Sequence, residues 1–211
     1  NFFSIADKSN AVSGDFEDAK AFKNGYAFVK NNGKWGTVDE KGKLVIPFTY
    51  DSLDYEWFQK ALMFRASLNG KLGILDLTGK VIIPNEYEVI ATALPNYLKV
   101  KKNGKWGVIR TTGAPVVDFL YDHISNKLDD PIAPEWPSII QKKDKFGLMN
   151  EKGEVIYEPK ALTIDYVGEG MFAVKEKKTF GVLNSKASNE YNAQFDQIEA
   201  FGNGLAAVRK G

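Results

Sequence analysis

An all-β repeat fold follows from three observations. First, an aromatic or leucine precedes glycine at five similarly spaced anchors, Trp35-Gly36, Leu72-Gly73, Trp106-Gly107, Phe146-Gly147 and Phe180-Gly181. Self-similarity at a fixed period of a few tens of residues is the signature of a repeat architecture. Second, apolar residues alternate in short runs bounded by glycine turns, which is the pattern of half-buried strands. Third, a Tyr-Asp or Phe-Asp pair closes most units. The expected fold is all-β, with six units of about 35 residues in a closed, propeller-like ring; the alternative is an open β-solenoid of stacked hairpins.

The elements follow in chain order. Ala27-Phe28-Val29-Lys30, a turn over 31–33 and a strand from Lys34 to Val38 form a hairpin. Asn-Gly recurs at the same place at Asn69-Gly70 and Asn103-Gly104, because a two-residue turn matched to strand twist needs positive φ at both central residues. Lys41-Gly42 and Thr78-Gly79 reverse the chain into Leu44-Val45-Ile46 and Val81-Ile82-Ile83, which Pro47 and Pro84 are expected to end, since proline cannot donate to a ladder. Fourth strands are expected near 51–55, 87–91 and 196–201, and the only helix-like turn near Asp54 to Ala61.

Spacing fixes the register. Trp35 to Asp51, Leu72 to Glu88, Trp106 to Asp122 and Phe180 to Asp196 are each 16 positions, whereas Phe146 to Asp165 is 19. From acid to the next apolar strand the count is 12 in three units, 13 from Asp51 to Phe64, 9 from Asp165 to Val174 and 18 from Asp122 to Ile140. The six extra residues fall within 127–137. The ends complete one another: 195–208 reads FDQIEAFGNGLAAV and 16–29 reads FEDAKAFKNGYAFV. The whole chain, 1–211, is expected to be a single domain, with one unit split between 205–211 and 1–25 and with Leu205 to Arg209 pairing with Phe2 to Ala6.

The strings NGKWGTVDEKGKLVIPFTYDSL, from Asn32, and KNGKWGVIRTTGAPVVDFLYDHI, from Lys102, resemble the bacterial WG-repeat family. The other units are eroded, with Leu72, Phe146 or Phe180 in place of Trp. The resemblance implies a repeat module, often exported, with an interaction role and no catalytic residues to carry over.

Composition agrees with that. A chain of 211 residues, 44% hydrophobic and 13% aromatic, is long enough for a real core. Zero Cys excludes disulfides and thiolate chemistry and points to a compartment outside the cytoplasm, although many cytoplasmic proteins also lack Cys. The chain begins at Asn1, which implies processing or trimming, and no stretch approaches the length of a membrane span. His123 is the only histidine, so a multi-His metal site is impossible and no nucleophile signature accompanies it. No cofactor or metal is implied, and no enzymatic activity is expected.

Charge is the remaining signal. The turns before each anchor hold 16 of the 28 Lys and Arg, but only Asp144 and Glu176 of the 27 acids. Lys34, Lys71, Lys105, Lys145, Lys178 and Lys210 would then form a basic rim able to focus an acidic protein or an anionic polysaccharide. The competing reading makes them solvated gatekeepers against edge-to-edge aggregation. Nucleic acid is disfavoured, because no recognition motif accompanies the lysines. Exchange of Trp for Leu72 marks the anchors as packing residues rather than stacking platforms. The insert KLDDPIAPEWP breaks the repeat. It offers Asp129, Asp130, Glu135 and an unpatterned Trp136, either as a partner contact or as a lid folded back on the neighbouring units. The sequence thus describes a non-enzymatic scaffold that binds a macromolecule through turn and loop faces, with a carbohydrate-binding module or a structural spacer as alternatives.

Overall fold

The computed structural model describes residues 16–58, 61–92, 96–125 and 136–211, and it is built of antiparallel sheets in strict chain order, with no helix among the described residues. The first sheet contains β1 (Asp18–Ala19), β2 (Tyr26–Asn31), β3 (Lys34–Asp39) and β4 (Leu44–Tyr50); the second contains β5 (Ser52–Phe58), β6 (Ala61–Leu68), β7 (Lys71–Leu75) and β8 (Val81–Tyr87). The third comprises β9 (Val89–Thr92), β10 (Tyr97–Lys102), β11 (Lys105–Arg110) and β12 (Pro115–Tyr121). The fourth comprises β13 (His123–Ile124), β14 (Ser138–Lys142), β15 (Lys145–Met149) and β16 (Val155–Ala161). The fifth holds β17 (Thr163–Tyr166), β18 (Met171–Lys175), β19 (Phe180–Asn184) and β20 (Asn189–Phe195), and β21 (Gln197–Ile198) pairs with β22 (Val208–Arg209). The strand expected near 51–55 as the fourth of its unit is β5, the first strand of the next sheet, and Asp54 to Phe58 are strand, not a helical turn. Alternating Leu53, Tyr55 and Trp57 against Ala66, Phe64 and Leu62 satisfies the period of two, which a helix would break.

By compactness the chain divides into residues 1–90 with 111–113, and residues 91–110 with 114–211. In the first unit Phe28, Ile46 and Tyr50 of one sheet pack against Leu53, Phe64 and Leu75 of the next. Edge-on ring contacts at 5.6 Å, Phe28 and Tyr26 on Phe64, add to the burial. In the second unit Leu148 and Ala161 pack against Ile164, Phe172, Val174 and Leu183. Within each unit, then, successive sheets bury their apolar faces on one another.

The hairpin turns are as the sequence predicts: φ is +48° and +73° at Asn32-Gly33, +52° and +73° at Asn69-Gly70, and +52° and +76° at Asn103-Gly104. The following turn is closed by an Asx side chain, with Asp39 accepting from the amides of Lys41 and Lys43 at 3.0 and 2.8 Å, and Asp76 from Thr78 and Lys80 at 2.8 and 3.0 Å.

The prolines do not end their strands. β4 runs through Pro47 to Tyr50, and β8 through Pro84 to Tyr87. The reason is a bulge: Trp35 pairs with Tyr50 but Thr37 pairs with Ile46, so two steps on β3 oppose four on β4. Pro47 sits in that bulge on an outer strand, where a missing N–H costs nothing. The shift recurs at Leu72↔Tyr87 and Ile74↔Ile83, Trp106↔Tyr121 and Val108↔Val117, Phe146↔Ala161 and Leu148↔Tyr157, and Phe180↔Phe195 and Val182↔Tyr191. The glycine after each anchor faces it. A Cβ on Gly36 would lie 2.5 Å from the Ile46 carbonyl oxygen, and one on Gly147 would lie 2.4 Å from that of Tyr157.

This pairing corrects one register. The partner of Phe146 is Ala161, so the residue between the fourth and fifth sheets is Leu162, 16 positions after its anchor as in the other units, and Asp165 lies inside β17. Val174 then follows Leu162 by the usual 12. The expected pairing of Phe2 to Ala6 with Leu205 to Arg209 lies outside the described residues.

Candidate functional site

The lysine before each anchor reaches the acid at the junction between sheets. Lys34 Nζ lies 2.5 Å from Asp51 Oδ1, Lys71 Nζ 3.2 Å from Glu88 Oε1, and Lys105 Nζ bonds Asp122 Oδ1. Asp51 and Asp122, and the equivalent Glu17 and Asp196, accept amides from a hairpin turn of the sheet that follows them. Asp51 accepts from Asn69 and Gly70, Asp122 from Lys143 at 2.7 Å, Glu17 from Gly33 at 2.9 Å, and Asp196 from Gly211 at 2.7 Å. One carboxylate thus ties a lysine of the preceding sheet to a turn of its own. Lys34 first, with the turn amides, holds the Asp51 carboxyl below the usual range; Lys105 and then the Lys143 amide do so for Asp122. Pairs this exposed are screened by solvent and add little stability, so they set register more than they stabilise.

The rest of the expected rim is arranged differently. Lys145 faces Leu162's unit with no junction acid and lies 3.7 Å from Asp144. Lys178 is exposed in its turn, with Thr179 occupying the place before the anchor, and Lys210 donates to Gln194 at 2.8 Å. The lysines therefore do not form one uniform set of charges.

Burial of the anchors follows their packing role. Trp106 is buried, and Trp35 is half-buried against the Phe28 and Ile46 cluster, with the ammonium groups of Lys20 and Lys30 at 5.2 and 5.8 Å from its ring. Lys175 covers Phe180 likewise at 4.9 Å. His123 meets the Trp106 ring edge-on at 6.0 Å.

Of the insert, Asp129, Asp130 and Glu135 lie outside the described residues. Trp136 is half-buried, its ring centroid 4.8 Å from the ammonium of Lys99 and its Nε1 buried without an acceptor. Lys99 is itself fully buried and donates to the Ser125 carbonyl at 2.6 Å. Arg65, seven residues before its own anchor as Lys99 is, makes the equivalent reach to the Ile90 carbonyl at 3.3 Å and pairs with Glu56 at 2.7 Å. A cation on a central strand thus clasps the first strand region of the next sheet at two successive repeats.

Trp136 is not the single Trp outside the repeat pattern, because Trp57 is another. It stands on β5, paired with Leu62 near the end of the β5–β6 hairpin, and it is 68% exposed. That hairpin has strands of 7 and 8 residues, against 4 and 6 for β9 and β10. The sequence signal was present in the count of 13, rather than 12, from Asp51 to Phe64. Among the described residues no group of three or more His, Cys, Asp or Glu is placed to hold a metal, and no helix is long and apolar enough to cross a membrane.

The WG containing repeat, as a family profile, matches residues 10–35, 35–71, 73–106 and 180–211, which together exceed half of the chain. The chain belongs to the WG-repeat family. The unmatched stretch holds the fourth sheet, where Phe146 replaces Trp and Leu162 replaces the junction acid. No curated relative matches the chain. Among solved structures it is similar to a eukaryotic initiation factor at 11% identity, over 87% of this chain and 57% of that one, with a TM-score of 0.42. It is also similar to the AfRom2 CNH domain (11% identity, 92% and 76% of the two chains, TM-score 0.36). A third is KlHsv2 with its loop 6CD replaced by a Gly-Ser linker (12%, 92% and 77%, 0.36). The WG-repeat chain spans little more than half the length of the first of these.

Proposed function

We propose that this WG-repeat protein is a non-enzymatic interaction scaffold that holds a protein partner on a turn face, with Trp57 at the centre of the contact. The observation that carries the reading is the exposure of Trp57 on the longest hairpin among the described residues, since tryptophan is a favoured interface anchor. The repeated lysines and acids support it indirectly: where they pair across sheet junctions, their charges are spent within the fold. Wild-type and Trp57→Ala protein should be compared as affinity baits. A partner protein should bind the variant about 30-fold more weakly, the equivalent of about 2 kcal/mol. A partner that binds both forms equally would remove Trp57 from the contact.

The closed six-unit ring belongs to the same proposal. Its support is that β21 and β22 follow junction residue Asp196 as the first pair of each complete sheet follows its own junction, so a sixth sheet needs two more strands. A ring would take them from the chain start. Deleting residues 1–7 should then lower the melting temperature, and an unchanged melt would favour the open solenoid. An extracytoplasmic location, read from the absence of Cys, is likewise proposed; recovery of the native protein solely in the cytoplasmic fraction would overturn it.

A further inference from the structure

A cavity of about 560 Å³ opens on the fifth sheet, within the range of ligand sites. Its origin is one small residue. Ala193 stands two positions before Phe195, the partner of the anchor Phe180, in the register held by Phe48, Asn85, Phe119 and Pro159 in the other sheets. In the third sheet the Phe119 ring comes within 3.1 Å of where a Gly107 Cβ would be. In the second, the Asn85 amide crosses Gly73 to donate to the carbonyls of Ala66 and Lys71 at 2.8 and 3.1 Å. Over Gly181, as over Gly36 and Gly147, the nearest atoms are backbone: Tyr191 O at 2.9 Å and Ala193 N at 3.1 Å. What the fifth sheet lacks is a side chain beyond Cβ at this register, so the shelf that Asn85 and Phe119 cover in the second and third sheets is left open.

What surrounds the opening is not repeat-equivalent either. The floor is apolar, with Val174 and Leu183 on the face that Gly181 shares. Along one wall the Tyr157 hydroxyl donates to Glu176, and Lys160 Nζ lies 2.9 Å from the same carboxylate and 4.9 Å from the Tyr157 ring. Along the other, Asn189 donates to Asn192 at 2.5 Å. Tyr157 first, then Lys160, holds the Glu176 carboxyl below its usual range, so it is an acceptor at neutral pH. The row therefore offers alternating acceptors and donors above an apolar floor. An anion is a poor occupant, because Lys160 is already paired with Glu176, whose charge would repel it, and Lys177, the other lysine of the lining, is exposed to solvent. A hard cation lacks the several carboxylates it needs. A pyranose ring fits the chemistry, since each hydroxyl both donates and accepts while one ring face is largely C–H.

We propose that the cavity over Gly181 is a binding site for a neutral saccharide, seated on Val174 and Leu183 and read by Asn189, Asn192 and Glu176. This site is separate from Trp57 and stands or falls independently of the protein contact.

The test is saturation-transfer NMR on the full chain with glucose, N-acetylglucosamine, cellobiose and maltose, with inorganic phosphate followed by titration calorimetry. The expected result is transfer from the protein to at least one sugar, abolished in Ala193→Phe, which installs the side chain found at Phe48 and Phe119, while the melting temperature is unchanged or raised. Asn192→Ala, at a solvent-facing position, should weaken the same sugar about fivefold, the loss of one neutral hydrogen bond, and it decides the matter if Ala193→Phe does not fold. No transfer to any of the four sugars, transfer that survives both variants, or binding of phosphate alone would each overturn the proposal.

Discussion

Replacing Gly36 by Ala tests the steric reason for the invariant glycine after each anchor. The φ of Gly36 is not in the left-handed region, so an alanine there meets no intrinsic backbone strain. The obstacle is the bulged outer strand: the new Cβ would lie 2.5 Å from Ile46 O, 3.1 Å from the Pro47 carbonyl carbon and 3.2 Å from Phe48 N. All three are backbone atoms of a paired strand, so no side chain can swing aside, and β3 and β4 must separate by several tenths of an ångström. Overpacking of this kind costs about 1–3 kcal/mol, against which Gly→Ala in a strand returns about 0.5–1 kcal/mol of chain entropy. The clash should win, with a net loss of about 1–2 kcal/mol, or roughly 2–8 °C in melting temperature for a chain of this size. Gly202→Ala is the control. Nothing lies within 4 Å of its Cβ and its φ is not positive, so it should be neutral or stabilise by about 0.4–1 kcal/mol. Guanidinium denaturation of the two variants and the wild type, with m-values compared, measures the difference. If Gly36→Ala unfolds at the wild-type midpoint, the bulge does not press on the glycine and the explanation of the motif fails.

Two pH responses follow from the junctions. Asp51 and Asp122 have carboxyls held below their unfolded values by Lys34 and Lys105, so their contribution is complete above about pH 4 and lost as pH falls through their folded values. The melting temperature should be flat from neutral pH to about 5 and then decline, and the Asp51→Asn, Asp122→Asn protein should decline less; identical acid profiles would show that the staples do not act. On the alkaline side, burial first and then the neighbouring Glu86 push the Tyr87 hydroxyl up to about 12. Its stabilising effect is present below about pH 10 and is lost as pH rises toward about 12; burial raises Tyr50, Tyr55, Tyr121 and Tyr157 as well, so ultraviolet titration should show several tyrosines ionising late, one fewer in Tyr87→Phe. A single tyrosine midpoint near the ordinary value would contradict the burial of this residue.

The hairpins were legible because their signals are local. Asn32-Gly33 and Asn69-Gly70 carry their own turn geometry, and the alternation of Phe28, Val29 and Val38 marks its strands without reference to anything distant. The run of β4 through Pro47 was not legible, because it depends on a bulge that exists only when β3 lies alongside. Leu162 was missed for a related reason: a search for the junction acid stops at Asp165, whereas the register is set by the backbone pairing of Phe146 with Ala161. Lys99 under Trp136 joins residues 37 positions apart, and nothing in either neighbourhood announces it. Trp57 was within reach, since it interrupts the repeat as plainly as Trp136 does, but only the structure shows which of the two indoles faces solvent.

The charge asymmetry of the sequence shows why repeat-equivalent residues are poor candidates for specificity here. Lys34, Lys71 and Lys105 look like a rim when read along the chain. In three dimensions each is held by the acid 17 positions on, Asp51, Glu88 or Asp122, and that acid also serves a turn amide where the contacts are resolved to Asp51 and Asp122. A residue kept at every unit to hold sheets together is satisfied by its neighbours and has little left to offer a ligand. What distinguishes one unit from the next is where that satisfaction lapses. At Trp57 the hairpin grows and an indole is left in water; at Ala193 a side chain shrinks and a shelf is left open. A partner that must recognise this chain, and not any stack of hairpins, has to read such departures, and they lie on different sheets. Trp57→Ala and Ala193→Phe should accordingly act on different ligands, and a single ligand lost in both variants would mean that one surface, not two, carries the recognition.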